Sequence, residues 1–233
     1  MTRLAMVLDL DRCIGCWACA VACKQENSIG EGLWWQKVDT VGGETIDTSV
    51  GVFPDVRKYY QPRNCFHCAD APCIPVCPTN AIVKRDDGIV EIKQELCVGC
   101  GKCEPACPFD AIEMNVVAPL LPPGLEKGHG AAEVQPRVAG VVEKCSFCSH
   151  RVDAGQDPAC VAACPTQVIT FGDVDNPESR VAAARRSPGA FRLGEDTGAD
   201  PSVWFLPATQ GELQRRSGKP SGSTAPRKPK GLS

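Results

Sequence analysis

Apolar and polar residues alternate over short stretches that run into a cysteine: MVLDLDRC at 6–13, IVEIKQELC at 89–97 and, more loosely, VAGVVEKC at 138–145. Alternation with a period of two over so few residues predicts short, half-buried strands. Downstream, CPTNAI (77–82), CPFDAI (107–112) and CPTQVI (164–169) repeat one device, a cysteine and a proline followed by a closing apolar pair. The implied unit is a strand, a cysteine loop, a turn or two of helix and a return strand, and its recurrence marks an internally repeated architecture. Asn176–Pro177 reads as a helix N-cap with proline at the first helical position, opening a short helix over 177–186, and PSVWFLP (201–207) reads as a returning strand.

Three segments interrupt this pattern. Residues 24–64 carry Gly30, Gly32, Gly42, Gly43 and the pair Trp34–Trp35, and residues 116–140 are rich in Pro and Gly and predict an extended connecting loop. Residues 208–233 are basic, rich in Pro, Ser and Gly and without apolar periodicity, which predicts a disordered tail. No stretch approaches eighteen uninterrupted apolar residues, so no direct membrane span is expected. The first apolar run is broken by Asp9 and Asp11 and no twin-Arg pair precedes it, so no export signal is expected either.

Composition changes the picture at one residue type. The chain has 233 residues, an ordinary charged fraction and sixteen cysteines, all between Cys13 and Cys164. They form four groups of four: Cys13, Cys16, Cys19, Cys23; Cys65, Cys68, Cys73, Cys77; Cys97, Cys100, Cys103, Cys107; and Cys145, Cys148, Cys160, Cys164. Every group ends in C-x3-C, and in all but the first a proline follows the last cysteine; Lys24 takes that place in the first. A [4Fe–4S] cube needs four thiolates in a tetrahedral array. C-x2-C-x2-C wraps three of them around one face from a single loop, and the fourth comes from elsewhere. Structural zinc prefers separated C-x2-C pairs, a disulfide framework is awkward between cysteines so closely spaced, and redox C-x-x-C pairs occur singly beside a βαβ pattern. Four interlocking copies weigh against these rivals together, and a zinc-stabilised scaffold stands as the non-redox alternative.

In two-cluster ferredoxins the last cysteine of each motif serves the partner cluster. The adjacent second and third motifs therefore pair, giving Cys65, Cys68, Cys73 with Cys107 and Cys97, Cys100, Cys103 with Cys77. The first and fourth motifs are left by elimination, giving Cys13, Cys16, Cys19 with Cys164 and Cys145, Cys148, Cys160 with Cys23. The fold class that follows is α+β, two ferredoxin-like bicluster modules with short strands and helices and long connecting loops. Residues 1–54 plus 141–175 form one module and 55–115 the other, with 116–140 as connecting loop and 176–207 as an extension that packs on the modules or a partner. Four oxidised clusters with their thiolates take the formal charge from −3 to about −11. Arg12, Lys24, Lys102, Lys144 and Arg151 flank the motifs and read individually as solvated surface charges. Trp17 and Trp34–Trp35 read as cluster shields, partner contacts or ordinary core, and His67 and His150 as neighbours of the ligands, since no thiolate position is vacant.

The order DLDRCIGCWACAVACKQEN, NCFHCADAPCIPVCPTNAI, LCVGCGKCEPACPFDAI and KCSFCSHRVDAGQDPACVAACPTQVITFGD resembles the electron-transfer (beta) subunits of the molybdopterin oxidoreductases, such as those of dimethyl sulfoxide, polysulfide, thiosulfate and tetrathionate reductases. The resemblance covers roughly residues 1–207 and supports the pairing of the first and fourth motifs. It implies four [4Fe–4S] clusters as cofactors, a molybdopterin-containing catalytic subunit and a quinone-reactive integral membrane anchor as partners. It also implies a position peripheral to the cytoplasmic membrane, on its cytoplasmic face or on the other face after co-export with a partner. Some relatives replace a cysteine of the third motif, but here Cys97, Cys100, Cys103 and Cys107 are all present. The chain shows no nucleophile–base constellation and no Gly-rich nucleotide fingerprint, so a redox subunit without a substrate site, and without a nucleic-acid partner, is expected. The alternative with the same cysteine pattern is a cytoplasmic polyferredoxin linked to a hydrogenase, carbon monoxide dehydrogenase or formate dehydrogenase.

Overall fold

The computed structural model describes residues 2–43, 45–117 and 130–208. The centre of the expected connecting loop and all but the first residue of the expected tail lie outside these residues. Strand β1 (Leu4–Asp9) is the central strand of the largest sheet. It pairs antiparallel with β8 (Ile169–Asp173) and parallel with β9 (Val203–Leu206), so the segment expected to return as a strand does so at the sheet edge. Its LAMVLD sequence is apolar on both faces for a physical reason. Leu4, Met6 and Leu8 point into the main core with Phe66, Phe147 and Phe205, while Ala5 and Val7 meet Val174, Val181 and Trp204 beneath helix α5 (Arg180–Arg185).

Helix α5 begins later than the sequence suggests. Asn176 accepts a hydrogen bond from the Glu178 amide (3.0 Å) in a local turn, and Ser179 is the cap, its Oγ accepting from the Ala182 amide at 3.1 Å. Ser179 Oγ also donates to the Asp173 carbonyl (2.6 Å), which anchors the cap to β8. A serine tied to the sheet offers the N3 amide an acceptor that the more distant asparagine cannot supply.

The remaining strands form three antiparallel pairs: β2 (Lys37–Val41) with β3 (Tyr59–Arg63), β4 (Ile82–Lys84) with β5 (Val90–Ile92), and β6 (Glu113–Asn115) with β7 (Val141–Glu143). The β2–β3 and β6–β7 pairs each join a strand from one expected module to a strand from the other. Helix α1 (Ala18–Glu26) packs on α4 (Ala159–Ala162); short helices α2 (Cys103–Ala106) and α3 (Ser149–Asp153) follow cysteines of their own motifs. Polar contacts reinforce the joins. Glu26 at the end of α1 accepts from Arg151 Nη1 (3.3 Å) and lies 2.9 Å from His150 Nε2, both on α3. Burial opposes ionisation of Glu26, but these two partners outweigh it and hold its pKa below the usual value. No helix among the described residues is long and apolar enough to cross a membrane.

Arg63 ties three parts together. Its Nε donates to Asp39 Oδ2 (2.8 Å) across the β2–β3 pair and its Nη1 donates to the Phe109 carbonyl (2.7 Å) just after Cys107. With Arg63 only 5% exposed, Arg63→Met strands a partly buried carboxylate and is expected to cost about 3 kcal/mol of stability. Arg85→Met, at the more exposed Arg85–Asp153 pair, is expected to cost no more than about 1 kcal/mol. Thermal unfolding of the two variants under anaerobic conditions checks the contrast.

Candidate metal centres

Each motif bends its backbone at the same place. The residue before the second cysteine has a left-handed backbone in all four: Gly15 (φ +71°), His67 (+42°), Gly99 (+65°) and Phe147 (+52°). That turn folds the loop back on its first cysteine, and in the fourth motif the Phe147 amide reaches Cys145 Sγ at 3.4 Å. Two of the positions are glycine because a side chain has no room. A Cβ on Gly99 would lie 2.1 Å from the Gly140 carbonyl, and one on Gly15 would meet the Tyr60 ring at 2.5 Å. A second left-handed residue stands three places after the last cysteine of the second, third and fourth motifs: Asn80, Asp110 and Gln167. These are the repeated C-P-x-x blocks, and the turn carries the Val168 amide to 3.3 Å from Cys164 Sγ. The Thr79 and Thr166 hydroxyls lie 3.8 Å from Cys77 and Cys164 Sγ. Sulfurs ringed by N–H and O–H donors suit negatively charged ligands.

All sixteen cysteines are free, and they gather across motifs. Cys13, Cys16, Cys19 and Cys164 line one cavity with Trp17 and Val38; Cys65, Cys68, Cys73 and Cys107 line another with Val90 and Phe109. Electrostatic coupling reports the other two sets. Burial raises the Cys23 thiol well above its usual pKa, and repulsion from Cys145, Cys160 and Cys148 adds to it. Cys103 is pushed up to about 11, by burial first, with its own amide opposing and Cys97, Cys100 and Cys77 adding. Burial is likewise the leading cause at Cys19 and Cys145, both pushed up to about 12. Four neighbouring thiolates in an apolar wall are untenable alone; a cationic core that replaces the protons removes the conflict. Among the described residues no three His, Cys, Asp or Glu side chains converge tightly enough to hold a single ion. Thiols spread around a cavity fit a polynuclear cluster, and the donor set of four sulfurs fits [4Fe–4S].

Each of the four sets neighbours the next. Cys19 of the Cys13 set repels Cys23 and Cys160, and Cys65 repels Cys145. The Cys65 and Cys97 sets adjoin because Cys73–Cys77 and Cys103–Cys107 each divide one C-x3-C between them. The order is the Cys13 set, the Cys145 set, the Cys65 set, the Cys97 set. All four members of the Cys145 set are buried, whereas Cys16 and Cys100, in the two end sets, are exposed.

Several neighbours of the sulfurs were not legible in the sequence. The Asn27 amide stands 3.8 Å from Cys23 Sγ and 3.7 Å from Cys148 Sγ, and the Asn64 amide 3.6 Å from Cys145 Sγ. Asn27 follows Cys23 by one helical turn and Asn64 precedes Cys65, the only sequence signals they carry. His67 is fully buried, stacked on Phe147 at 3.6 Å, with Nδ1 accepting from the Val90 amide at 3.0 Å; burial first, then Lys144, holds it neutral. His150 pairs with Glu26 rather than a sulfur. Trp17 meets Trp34 edge-on at 5.7 Å, and Lys24 lies over Trp34 while donating to the Leu33 carbonyl. Trp35 is buried and donates to Glu143 at 3.2 Å. Lys144 is 4% exposed, so the solvated reading of the flanking cations fails there: its ammonium is enclosed by the packing of β5 on the Cys145 loop.

Two family models described as "4Fe-4S dicluster domain" match the chain, one over residues 56–119 and 132–174 and one over 12–81. A protein of Halobacterium salinarum described as an iron–sulfur subunit of dimethyl sulfoxide reductase is 44% identical, over 88% of this chain and 79% of its own. The arsenate respiratory reductase iron–sulfur subunit of a Shewanella species is 36% identical over 88% of this chain and 96% of its own. A selenate reductase subunit from Mesobacillus selenatarsenatis is 36% identical over 86% of this chain and 70% of its own. Two dicluster models and sixteen cysteines support four [4Fe–4S] clusters. Quartets of free thiols around cavities fit an electron-transfer subunit, and the chain belongs to the iron–sulfur subunits of the molybdopterin oxidoreductases.

Proposed function

We propose that the chain carries electrons through four [4Fe–4S] clusters between a molybdopterin catalytic subunit and a quinone-reactive membrane anchor. The observation that carries this reading is a succession of four neighbouring cysteine quartets, with an exposed cysteine in the first and the last and a wholly buried quartet between them. The ligand sets are Cys13, Cys16, Cys19, Cys164; Cys145, Cys148, Cys160, Cys23; Cys65, Cys68, Cys73, Cys107; and Cys97, Cys100, Cys103, Cys77. The clusters supply one-electron redox chemistry when bound. The polypeptide fixes their spacing, keeps water from the inner pair and stabilises thiolates with the amides of Phe147, Val168, Asn27 and Asn64. In this reading 1–54 plus 141–175 and 55–115 each hold two clusters.

Relatives named for dimethyl sulfoxide, arsenate, selenate and menaquinone share this scaffold, so the substrate belongs to the catalytic partner rather than to this chain. A relative described as the iron–sulfur cluster-binding subunit of a menaquinone reductase favours a quinone at one end. The chain sits peripheral to the cytoplasmic membrane, held there by its anchor.

Anaerobically purified protein is expected to contain about sixteen irons and as many labile sulfides, as four cubanes require. Eight irons or fewer would contradict the proposal. The large subunit that co-purifies is expected to bring molybdenum or tungsten; nickel in its place would favour a hydrogenase-linked polyferredoxin. Stripping the clusters with oxidant and chelator is expected to abolish the cooperative thermal transition, because the thiol quartets lie within the core. The backbone of the loops is equally demanding. Gly99→Ala, blocked by the Gly140 carbonyl, is expected to deplete iron. Gly155→Ala, with open space around it, costs only about 1 kcal/mol for its left-handed backbone.

A further inference from the structure

Lys144 is a buried ammonium with no carboxylate within ion-pair distance among the described residues. Its Nζ donates to the Cys145 carbonyl at 3.0 Å and to the Val90 carbonyl, which uses two of its three donors. Neutral carbonyls alone poorly offset the burial of a full charge, so the site calls for a nearby anion. The surroundings say where that anion sits. Val90 belongs to the wall of the cavity lined by Cys65, Cys68, Cys73 and Cys107. Lysine and cavity belong to different expected modules; Lys144 meets the cavity wall at Val90, and Asn64, the residue before Cys65, reaches Cys145 Sγ at 3.6 Å. The nearby buried Glu143 is engaged elsewhere, accepting from Trp35 and from Asn115 at 2.9 Å.

We propose that Lys144 is the counter-charge of the cluster held by Cys65, Cys68, Cys73 and Cys107, and that it raises that cluster's reduction potential from across the junction between the two modules. Reduction adds one negative charge to an already anionic centre, and a fixed cation in a low-dielectric wall stabilises the reduced form more than the oxidised one. The same charge eases the approach of that centre to its anionic neighbour at Cys145. Lys144 acts through the field rather than by touching a sulfur, and is thus a positioning residue for electron flow. The inference rests on the four-cluster reading above.

The test is a redox titration of the holoprotein followed by electron paramagnetic resonance, on wild type, Lys144→Gln, Lys144→Met and Lys144→Arg, each with its iron counted. In the neutral variants one of the four midpoint potentials is expected to fall, with a tenfold or larger shift of that cluster's equilibrium toward the oxidised form, about 59 mV for one electron. The arginine variant is expected to restore it. Four unmoved potentials at full iron content would overturn the proposal. So would loss of iron in all three variants, which marks Lys144 as a structural clamp alone. Fewer than about sixteen irons in the wild type is a failure of the four-cluster reading, and is seen before any variant is compared.

Discussion

The structure depends on a conflict between thiols and their surroundings. Sixteen cysteines are set into the walls of a small protein, most of them buried, in quartets whose members repel one another as thiolates. Burial pushes their proton affinities up, and only a cationic core shared by four sulfurs resolves the conflict. The rest of the fold serves that arrangement. Strands are short because they need only bracket a loop, the helices beside the cysteines run only four to nine residues, and the left-handed residues in each motif turn amides toward sulfur.

Crossing of the motifs explains how modest elements give a stable whole. The two cavities lined by four cysteines each take one cysteine from another motif, so each is closed by chain segments far apart in sequence. The β2–β3 and β6–β7 pairs, the Arg63 bridge to Asp39 and Phe109, and the Glu26 contacts with α3 hold those segments together. The sheet around β1 adds an ordinary apolar core on both faces, with Phe205 and Trp204 of β9 on opposite sides.

Function follows from order and exposure. Two quartets with an exposed cysteine flank an inner pair, and the side-chain amides of Asn27 and Asn64 join the Phe147 amide around the buried Cys145 set. An interior rich in dipoles and poor in water can hold anionic centres close enough to exchange electrons. The relatives differ in the oxyanion or sulfur compound of their names while sharing this scaffold, as expected when substrate chemistry is left to another subunit.

The sequence alone determined the chemistry, because ligand spacing is local. C-x2-C-x2-C-x3-C states how many sulfurs a loop presents, and the trailing C-P-x-x block states where it turns, so the cluster type, the repeats and the strand at 203–206 were legible. Position 176 misled because a good capping residue does not reveal whether the sheet anchors a better one three places on. Lys144 looked like a surface charge and lies in the interior; Asn27 and Asn64 carried no pattern at all. Burial and cross-motif proximity depend on how distant segments pack. The crossed grouping of the sulfurs followed from the motif pattern; only the tertiary structure decided which quartets are neighbours and which cation is buried beside them.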